Sequence, residues 1–295
     1  MIKITILGTA CMQPTKDRNH VGILLNYKNE NLLFDCGENI QRQLRKIKFK
    51  PAKITRIFIS HWHGDHTLGL PGLLYSMAAD QFAKKLYIYG PKGTKKNLQL
   101  LFQAFRNDKP IEHEVIEINP KTKSILDFSE FKIQALPLEH RTPTLGYAFI
   151  EKDKRRIKPK YTKIPGILLG KLQKNQSVTH HNKTITPQEA TYLTLGKKIT
   201  IIMDTRPCDN YLALAQNADL LISESTYLHE QQEKAEEHYH MTAKEAGMLA
   251  NQAQVKKLIL LHFSPRYKDV SLFREEVQEV FKDVVCAEDF MKFSL

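Results

Sequence analysis

Cysteine is scarce in this chain of 295 residues. The four cysteines, Cys11, Cys36, Cys208 and Cys286, show no C-x-x-C spacing. That absence argues against a zinc site built from thiolates and against a disulfide framework. We therefore expect a protein of the reducing cytosol.

Long apolar runs are also absent. No stretch approaches the roughly 20 apolar residues that a membrane-spanning helix needs. The segment Met1–Gly8 alternates polar and apolar side chains and is too short for the apolar region of a signal peptide. These absences predict a soluble, cytoplasmic protein.

Acidic residues are outnumbered: 32 aspartates and glutamates face 44 lysines and arginines, which gives a net charge of +12. An excess of this size favours an anionic partner such as RNA, DNA or acidic lipid. A lysine-rich composition without functional meaning is the alternative. The hydrophobic fraction of 42% is ordinary for a globular protein with one large or two smaller domains.

The most informative segment is a histidine cluster, Ser60-His61-Trp62-His63-Gly64-Asp65-His66. It follows the apolar stretch Ile54–Ile59, which predicts a buried strand whose end presents the cluster at the edge of a sheet. Imidazole and carboxylate without thiolate favour zinc, with manganese or iron as alternatives. An exposed polar turn is the other interpretation of the same residues.

Four candidate ligands on one turn are difficult to direct at a single ion. They can serve two adjacent ions about 3.5–4 Å apart, an arrangement typical of hydrolases. Three further candidates each follow a predicted strand, although each alone would more often be a structural hydrogen-bonding residue. We assign His61, His63 and His140 to one Zn²⁺ ion, Asp65, His66 and His262 to a second, and Asp204 to a bridge between them.

Such ions lower the pKa of bound water and so supply a nucleophile at neutral pH. Asp65 is also assigned a catalytic role, because its carboxylate can orient or deprotonate that water.

The periodicity predicts an α/β fold. Strands and flanking helices recur in the first 150 residues and again after residue 195, which favours two packed sheets with helices outside. Between them, the segment 151–195 has little apolar periodicity. Its first part, residues 151–174, contains nine lysines and arginines and two acids. This composition predicts a protruding, mobile arm, with an ordinary disordered loop as the alternative.

The residues in this order resemble the metallo-β-lactamase superfamily and, within it, the ribonuclease Z family of tRNA 3′-processing endonucleases. The histidine cluster resembles the metal-binding motif of the whole superfamily. Other segments resemble sequence elements of the ribonuclease Z family. These are Pro14–Asn19, which resembles its P-x-K-x-R-N element, Phe34–Glu38, Gly69–Leu74, His240–Thr242, which resembles its H-x-T element, and His262–Tyr267.

The resemblance implies an αββα sandwich formed by residues 1–295 as a single domain, with 151–195 as an inserted, flexible arm that binds tRNA. It also implies a homodimer in which the arm of one subunit presents precursor tRNA to the other. The reaction would be hydrolysis after the discriminator nucleotide, leaving a tRNA 3′-hydroxyl and a 5′-phosphate trailer. The chain departs from the family in the turn Gly8-Thr9-Ala10-Cys11 and in Ile167, which follows Pro165-Gly166 in the arm.

Two further catalytic residues follow from the H-x-T element. His240 is the candidate that protonates the leaving 3′-oxygen, and Glu224 would orient His240, with a surface helix cap as the alternative for Glu224. Six residues beside the site segments are candidates for binding substrate, and a surface or structural ion-pair role is the alternative for the charged ones. They are Lys16, Arg18, Asn19, Arg206, Ser264 and Arg266.

Two other functions remain open at this point. Another hydrolase of the same fold, such as a small phosphodiesterase, would use the same metals but would not need a basic arm. A nucleic-acid-binding relative with an inactive site would bind RNA without cleaving it.

Overall fold

The computed structural model describes residues 1–104, 111–119 and 124–295. Strands and helices alternate along these ranges, and they are numbered here in chain order. The strands are β1 (Ile2–Gly8), β2 (Gly22–Tyr27), β3 (Glu30–Phe34), β4 (Arg56–Phe58), β5 (Leu86–Pro91), β6 (His113–Ile118), β7 (Ser124–Asp127), β8 (Phe131–Leu138), β9 (Thr144–Glu151), β10 (Lys154–Ile157), β11 (Val178–His180), β12 (Lys183–Ile185), β13 (Thr191–Thr194), β14 (Lys198–Ile202), β15 (Leu220–Glu224), β16 (Leu258–Leu261), β17 (Val284–Cys286) and β18 (Lys292–Ser294). The α-helices are α1 (Ile40–Lys46), α2 (Gly64–Thr67), α3 (Leu70–Ala79), α4 (Thr94–Ala104), α5 (Gly166–Gln173), α6 (Pro187–Ala190), α7 (Asp209–Ala215), α8 (Gln232–His238), α9 (Ala243–Gln252) and α10 (Ser271–Gln278).

Two mixed sheets form the centre of the molecule, each with seven strands in the part of the chain that is described. The first has the order β18-β1-β2-β3-β4-β5-β6, and the second has the order β17-β16-β15-β14-β9-β8-β7. Strands β3 and β4 are parallel, as are β14, β15 and β16. Strand β8 runs in the same direction as β14, because both are antiparallel to β9.

The sequence of each central strand reflects burial on both faces. In β16 all four residues are buried. Ile259 and Leu261 pack between the sheets, whereas Leu258 and Leu260 pack against the helices outside. Because side chains alternate between faces, a strand covered on both sides is apolar throughout.

Three apolar layers follow from this arrangement. One lies between the sheets and contains residues of both, one lies between the second sheet and helices α7, α9 and α10, and one lies between the first sheet and helices α1, α3 and α4. This is the αββα sandwich that the sequence predicts, and the fold prediction is confirmed. Strand β18 escaped the sequence analysis because Lys292–Ser294 is short and largely polar, and its pairing with β1 depends on contacts across the whole chain.

The basic segment 151–195 is folded in this structure. Its elements β10, α5, β11, β12, α6 and β13 surround a small apolar cluster of their own. The buried members of that cluster are Ile164, Leu172, Val178, Ile185 and Ala190. The sequence shows little apolar periodicity here because the apolar residues are spread over several short elements. The mobility of the arm and its status as an insertion in one domain stay predictions.

No helix in the described ranges is both long enough and apolar enough to cross a membrane.

Candidate metal centre

The candidate ligands lie where strands end, and they come from both sheets. His61 and His63 follow β4, and Asp65 and His66 lie on the adjoining helix α2. From the second sheet, His140 follows β8, Asp204 follows β14 and His262 follows β16. The three strands β8, β14 and β16 share one direction, so their carboxyl ends meet at one edge, which faces the end of β4.

One donor group contains His61, His63, His140 and Asp204. His61 Nε2 and His140 Nε2 lie 3.0 and 3.3 Å from His63 Nδ1. Asp204 Oδ2 lies 3.4 Å from His61 Nε2 and 3.7 Å from His140 Nε2. All four side chains therefore direct one atom toward a common point.

A second donor group uses the other oxygen of Asp204. Asp204 Oδ1 lies 3.4 Å from His66 Nε2 and 3.2 Å from His262 Nε2, and these two nitrogens are 3.2 Å apart. Asp65 Oδ2 lies 3.6 and 3.4 Å from the same nitrogens. The structure thus divides the residues as the sequence analysis does, with Asp204 between the groups, and their role as ligands stays a prediction.

Asp35 determines the protonation of two of these rings. His66 Nδ1 lies 2.7 Å from Asp35 Oδ2, which only accepts, so Nδ1 holds the proton and Nε2 presents a lone pair. Ser60 Oγ donates to the same Asp35 oxygen at 2.7 Å and therefore accepts from His61 Nδ1 at 3.0 Å. His61 Nε2 consequently also presents a lone pair to its donor group.

His140 and His262 are held in the same way. His140 Nδ1 donates to the carbonyl oxygen of Tyr239 at 2.8 Å. Thr226 Oγ1 donates to Glu224 Oε2 at 2.7 Å, so it accepts from His262 Nδ1 at 3.1 Å. Both histidines therefore turn an unprotonated Nε2 inward.

These inward atoms face one another closely. His66 Nε2 lies 3.2 Å from His262 Nε2, and Asp204 Oδ1 lies 3.4 and 3.2 Å from these two nitrogens. Asp204 Oδ1 is also buried without a hydrogen-bond partner in the described residues. Buried acceptors that face one another are unfavourable unless a cation lies between them, so this donor set fits divalent metal ions.

Burial sets the protonation that metal binding requires. It lowers the pKa of His61 and His63 and lowers the pKa of His140 to about 4, so these rings are neutral at pH 7. Burial alone would raise the pKa of Asp204, but the neighbouring imidazoles, His262 foremost, hold it well below its usual range. The first donor group thus combines neutral rings with an ionised bridging carboxylate.

Four of the residues with left-handed backbone lie around the donor groups. Met12, Asp35, Tyr239 and His262 have φ values of 56°, 55°, 58° and 65°, in the left-handed region. Such a conformation costs a non-glycine residue about 1–3 kcal/mol. Each serves the site: the Met12 amide donates to Asp65 Oδ2 at 2.7 Å, Asp35 and Tyr239 hold ligand histidines, and His262 is itself a candidate ligand.

Glu224 ends strand β15 and is fully buried, so its alternative interpretation as a surface helix cap is wrong. It accepts from the Thr205 amide at 2.6 Å and lies 3.2 Å from His240 Nδ1. Burial alone would lower the pKa of His240, but the Glu224 and Asp204 carboxylates raise it to about 9. His240 is therefore protonated at neutral pH, with Nδ1 held by Glu224.

A cavity of about 600 Å³ opens over the donor groups. Its wall includes His240 and two of the six candidate substrate-binding residues, Ser264 and Arg266. Cys11 also lies in this wall, and burial together with nearby carboxylates raises the pKa of its thiol well above the ordinary value.

The other four candidates for substrate binding lie elsewhere or are already bonded. Lys16 and Arg18 line a neighbouring cavity of about 750 Å³. Asn19 donates to the carbonyl of Glu38 at 2.8 Å. Arg206 pairs with Glu245 at 2.7 Å and also donates to the carbonyl of His240, which favours the structural alternative for Arg206. Substrate binding by any of the six stays a prediction.

Comparisons with known proteins agree with this geometry. A family model described as a β-lactamase superfamily domain matches residues 30–263. Ribonuclease Z of Chlamydia abortus is 38% identical over 99% of this chain and 96% of its own length. Ribonuclease Z of Methanosarcina acetivorans is 37% identical over 100% of this chain and 98% of its own.

The chain belongs to the ribonuclease Z family. Among solved structures, the short form of human tRNase Z superposes with a TM-score of 0.75 at 29% identity, covering 99% of this chain and 98% of that one. The predicted family, superfamily and enzyme class are confirmed, and the fold implies binding of divalent metal.

Sequence analysis missed the residues that orient the ligands. Asp35, Ser60, Thr226 and the carbonyl of Tyr239 hold the outer nitrogens of four histidines. Only Asp35 offered a usable signal, because it directly follows β3 in the way that the candidate ligands follow other strands. Hydroxyl and carbonyl groups are too common in sequences to be singled out.

We predict that Asp35→Asn weakens the affinity for divalent metal by about 10–100-fold. The amide that replaces the carboxylate keeps one acceptor for the Ser60 amide and turns its NH₂ toward His66, which moves the ring proton to Nε2 and removes the inward lone pair. Competition with a chromophoric chelator measures this loss. Asp219→Asn, which changes a partly buried carboxylate far along the chain that pairs with Lys197 and Lys256, is the control. Equal affinities for wild type and Asp35→Asn would contradict the prediction.

Proposed function

We propose that this chain is a zinc-dependent endoribonuclease that removes the 3′ trailer of precursor tRNA by hydrolysis after the discriminator nucleotide. The observation that supports this most strongly is Asp204, whose two buried oxygens face two separate groups of imidazoles in the wall of an open cavity. The relatives named ribonuclease Z, similar over nearly the whole chain, support RNA as the substrate.

Two Zn²⁺ ions per chain would be held by the two donor groups, with Asp204 shared. Imidazole and carboxylate are donors that suit zinc. When bound, the ions activate water at neutral pH and stabilise charge on the phosphate oxygens.

Asp65 then orients the attacking water. Its carboxylate is positioned by the Met12 amide at 2.7 Å and by the nearby His66 and His262 rings. Burial alone would raise the pKa of Asp65, but the adjacent His66 and His262 lower it below its usual range. The ionised carboxylate can therefore accept a proton from water.

His240 protonates the 3′-oxygen that leaves. Its Nδ1 is held by Glu224, and the ring lines the cavity, so the remaining nitrogen Nε2 is the one available to the substrate. Because water attacks phosphorus and the 3′-oxygen departs with the proton, the products are a tRNA 3′-hydroxyl and a trailer with a 5′-phosphate.

We predict that His240→Ala lowers the rate of precursor tRNA cleavage by about 100- to 10,000-fold. Two substrates whose leaving groups need no proton should escape the defect. These are precursor tRNA with a 3′-bridging sulfur at the scissile linkage and bis(p-nitrophenyl) phosphate. Single-turnover rates on each provide the comparison.

His238→Ala, which changes another histidine in the same cavity wall, is the matched control and should cleave all three substrates at near wild-type rates. If His240→Ala is equally slow on the sulfur-substituted precursor, proton donation by His240 is refuted.

The basic segment 151–195 is proposed to bind the body of the tRNA. None of its nine lysines and arginines between residues 151 and 174 is buried, and Arg156, Lys160, Lys163, Lys171 and Lys174 are exposed. Its separate apolar cluster allows these charges to be presented on a folded unit rather than on a disordered loop. Phosphate contacts of this kind supply affinity without reading sequence.

We predict that replacing Lys160, Lys163, Lys171 and Lys174 together by glutamine lowers precursor tRNA cleavage by about 100-fold at physiological salt. The slope of log affinity against log salt concentration should become shallower by about 3, because four phosphate contacts are lost. Turnover of bis(p-nitrophenyl) phosphate should not change.

The control replaces four other exposed lysines by glutamine and so makes the same change in net charge. These lysines lie before α4 or in its first turn, and they are Lys84, Lys92, Lys95 and Lys96. Equal losses in both quadruple variants would show that only total charge matters. Equal loss of small-substrate turnover would count against recognition of tRNA by the arm.

The same proposal includes a homodimer in which each arm serves the site of its partner. The family resemblance supports this arrangement. Co-expression of the arm quadruple variant with Asp204→Ala tests it. If arms act across subunits, the mixture regains about a quarter of the wild-type rate, because half of the dimers are mixed and each has one productive pair. If each arm serves its own subunit, or the protein is a monomer by light scattering, no activity returns.

A further inference from the structure

The turn after β1, where this chain departs from its family, lies directly against the second donor group. The Cys11 amide donates to the carbonyl of Phe263 at 3.1 Å, and the next amide, that of Met12, donates to Asp65 Oδ2 at 2.7 Å. These two hydrogen bonds place Cys11 between Asp65 on one side and the segment that contains His262 on the other.

The side chain of Cys11 completes a group of metal-type donors. Its Sγ, a carboxylate oxygen of Asp65 and a ring nitrogen of His262 all lie within 4.8 Å of one another. A thiolate and an imidazole bound to one zinc ion lie about 3.5 Å apart, so a small side-chain adjustment suffices. Cys11 is 6% exposed and lines the same cavity as Asp65.

A second observation points to a ligand at this place. Asp204 is 2% exposed, and its Oδ1 has no hydrogen-bond partner among the described residues although it lies 3.2 Å from His262 Nε2. The two groups share His262, so this buried acceptor and Cys11 Sγ both lie close to the same imidazole. Among the described residues, Cys36, Cys208 and Cys286 belong to no such group.

We propose that Cys11 is a sulfur ligand of the metal ion held by Asp65, His66, His262 and Asp204. On binding, the thiol releases its proton to solvent and a sulfur–metal bond forms. The two donor groups would then differ in chemistry: the group around His63 offers nitrogen and oxygen, whereas this one adds sulfur and prefers zinc, cobalt or cadmium to manganese or magnesium. This inference rests on the metal centre in the proposed function.

Cobalt titration of the metal-free full chain tests the inference without measuring activity. Thiolate bound to Co²⁺ gives a charge-transfer band in the near ultraviolet, whereas the visible d–d bands report cobalt in any protein site. We expect wild type to show both, Cys11→Ser and Cys11→Ala to lose the charge-transfer band and keep the d–d bands, and Cys208→Ser to keep both. Circular dichroism confirms the fold of each variant.

Zinc affinity gives an independent measure. Cys11→Ser should bind one of its two zinc ions at least about tenfold more weakly, with the other unchanged, and should lose its preference for cadmium over manganese at that position.

The outcomes separate the two proposals. Two bound cobalt ions without a charge-transfer band in wild type would overturn sulfur ligation and leave the metal centre standing. The band surviving in Cys11→Ser would also overturn it. Failure of wild type to bind cobalt or zinc at all would overturn the metal centre and this inference together.

Discussion

The centre of this protein is organised by ring nitrogens and carboxylate oxygens that face one another. Four histidines donate from Nδ1 to Asp35, Ser60, Thr226 and the Tyr239 carbonyl, and they thereby turn Nε2 inward, toward the two oxygens of Asp204. In a low-dielectric interior such a cluster is unfavourable by itself and becomes favourable around divalent cations. The left-handed backbone at four positions around the site is a further cost that the rest of the fold must offset.

The sandwich provides that support. Its two sheets bury apolar residues on both faces, and this packing holds the strand ends that carry the candidate ligands. A second set of contacts ties the loops together around the centre. Glu224 links the Thr205 amide to His240, and Arg206 links the His240 carbonyl to Glu245, which also closes the capping box of α9 with Thr242. The position of His240 thus depends on buried charges rather than on its own loop.

In the proposed function, recognition and chemistry depend on different physical interactions. The arm has its own apolar cluster and exposes its basic side chains, whereas the donor groups lie between the strand ends, in the wall of a cavity. Attraction of an RNA by surface lysines is long-ranged and weakened by salt, whereas ligand geometry at the centre is short-ranged and insensitive to salt. A change in one can therefore leave the other intact, which is what allows substrate preference and bond cleavage to be measured separately.

The sequence by itself determined the histidine cluster and the strand-end positions of His140, Asp204 and His262, because these depend on local apolar periodicity and on residues close together in the chain. Its resemblance to a known family supplied the αββα class. Only the tertiary structure decided which oxygen of Asp204 faces which imidazoles, that Glu224 is buried against His240, that Arg206 is paired with Glu245, that the arm has a core and that Cys11 lies beside Asp65 and His262. These contacts join residues far apart in the chain. They exist because two sheets pack face to face and bring separate strand ends together, and local spacing contains no information about that packing.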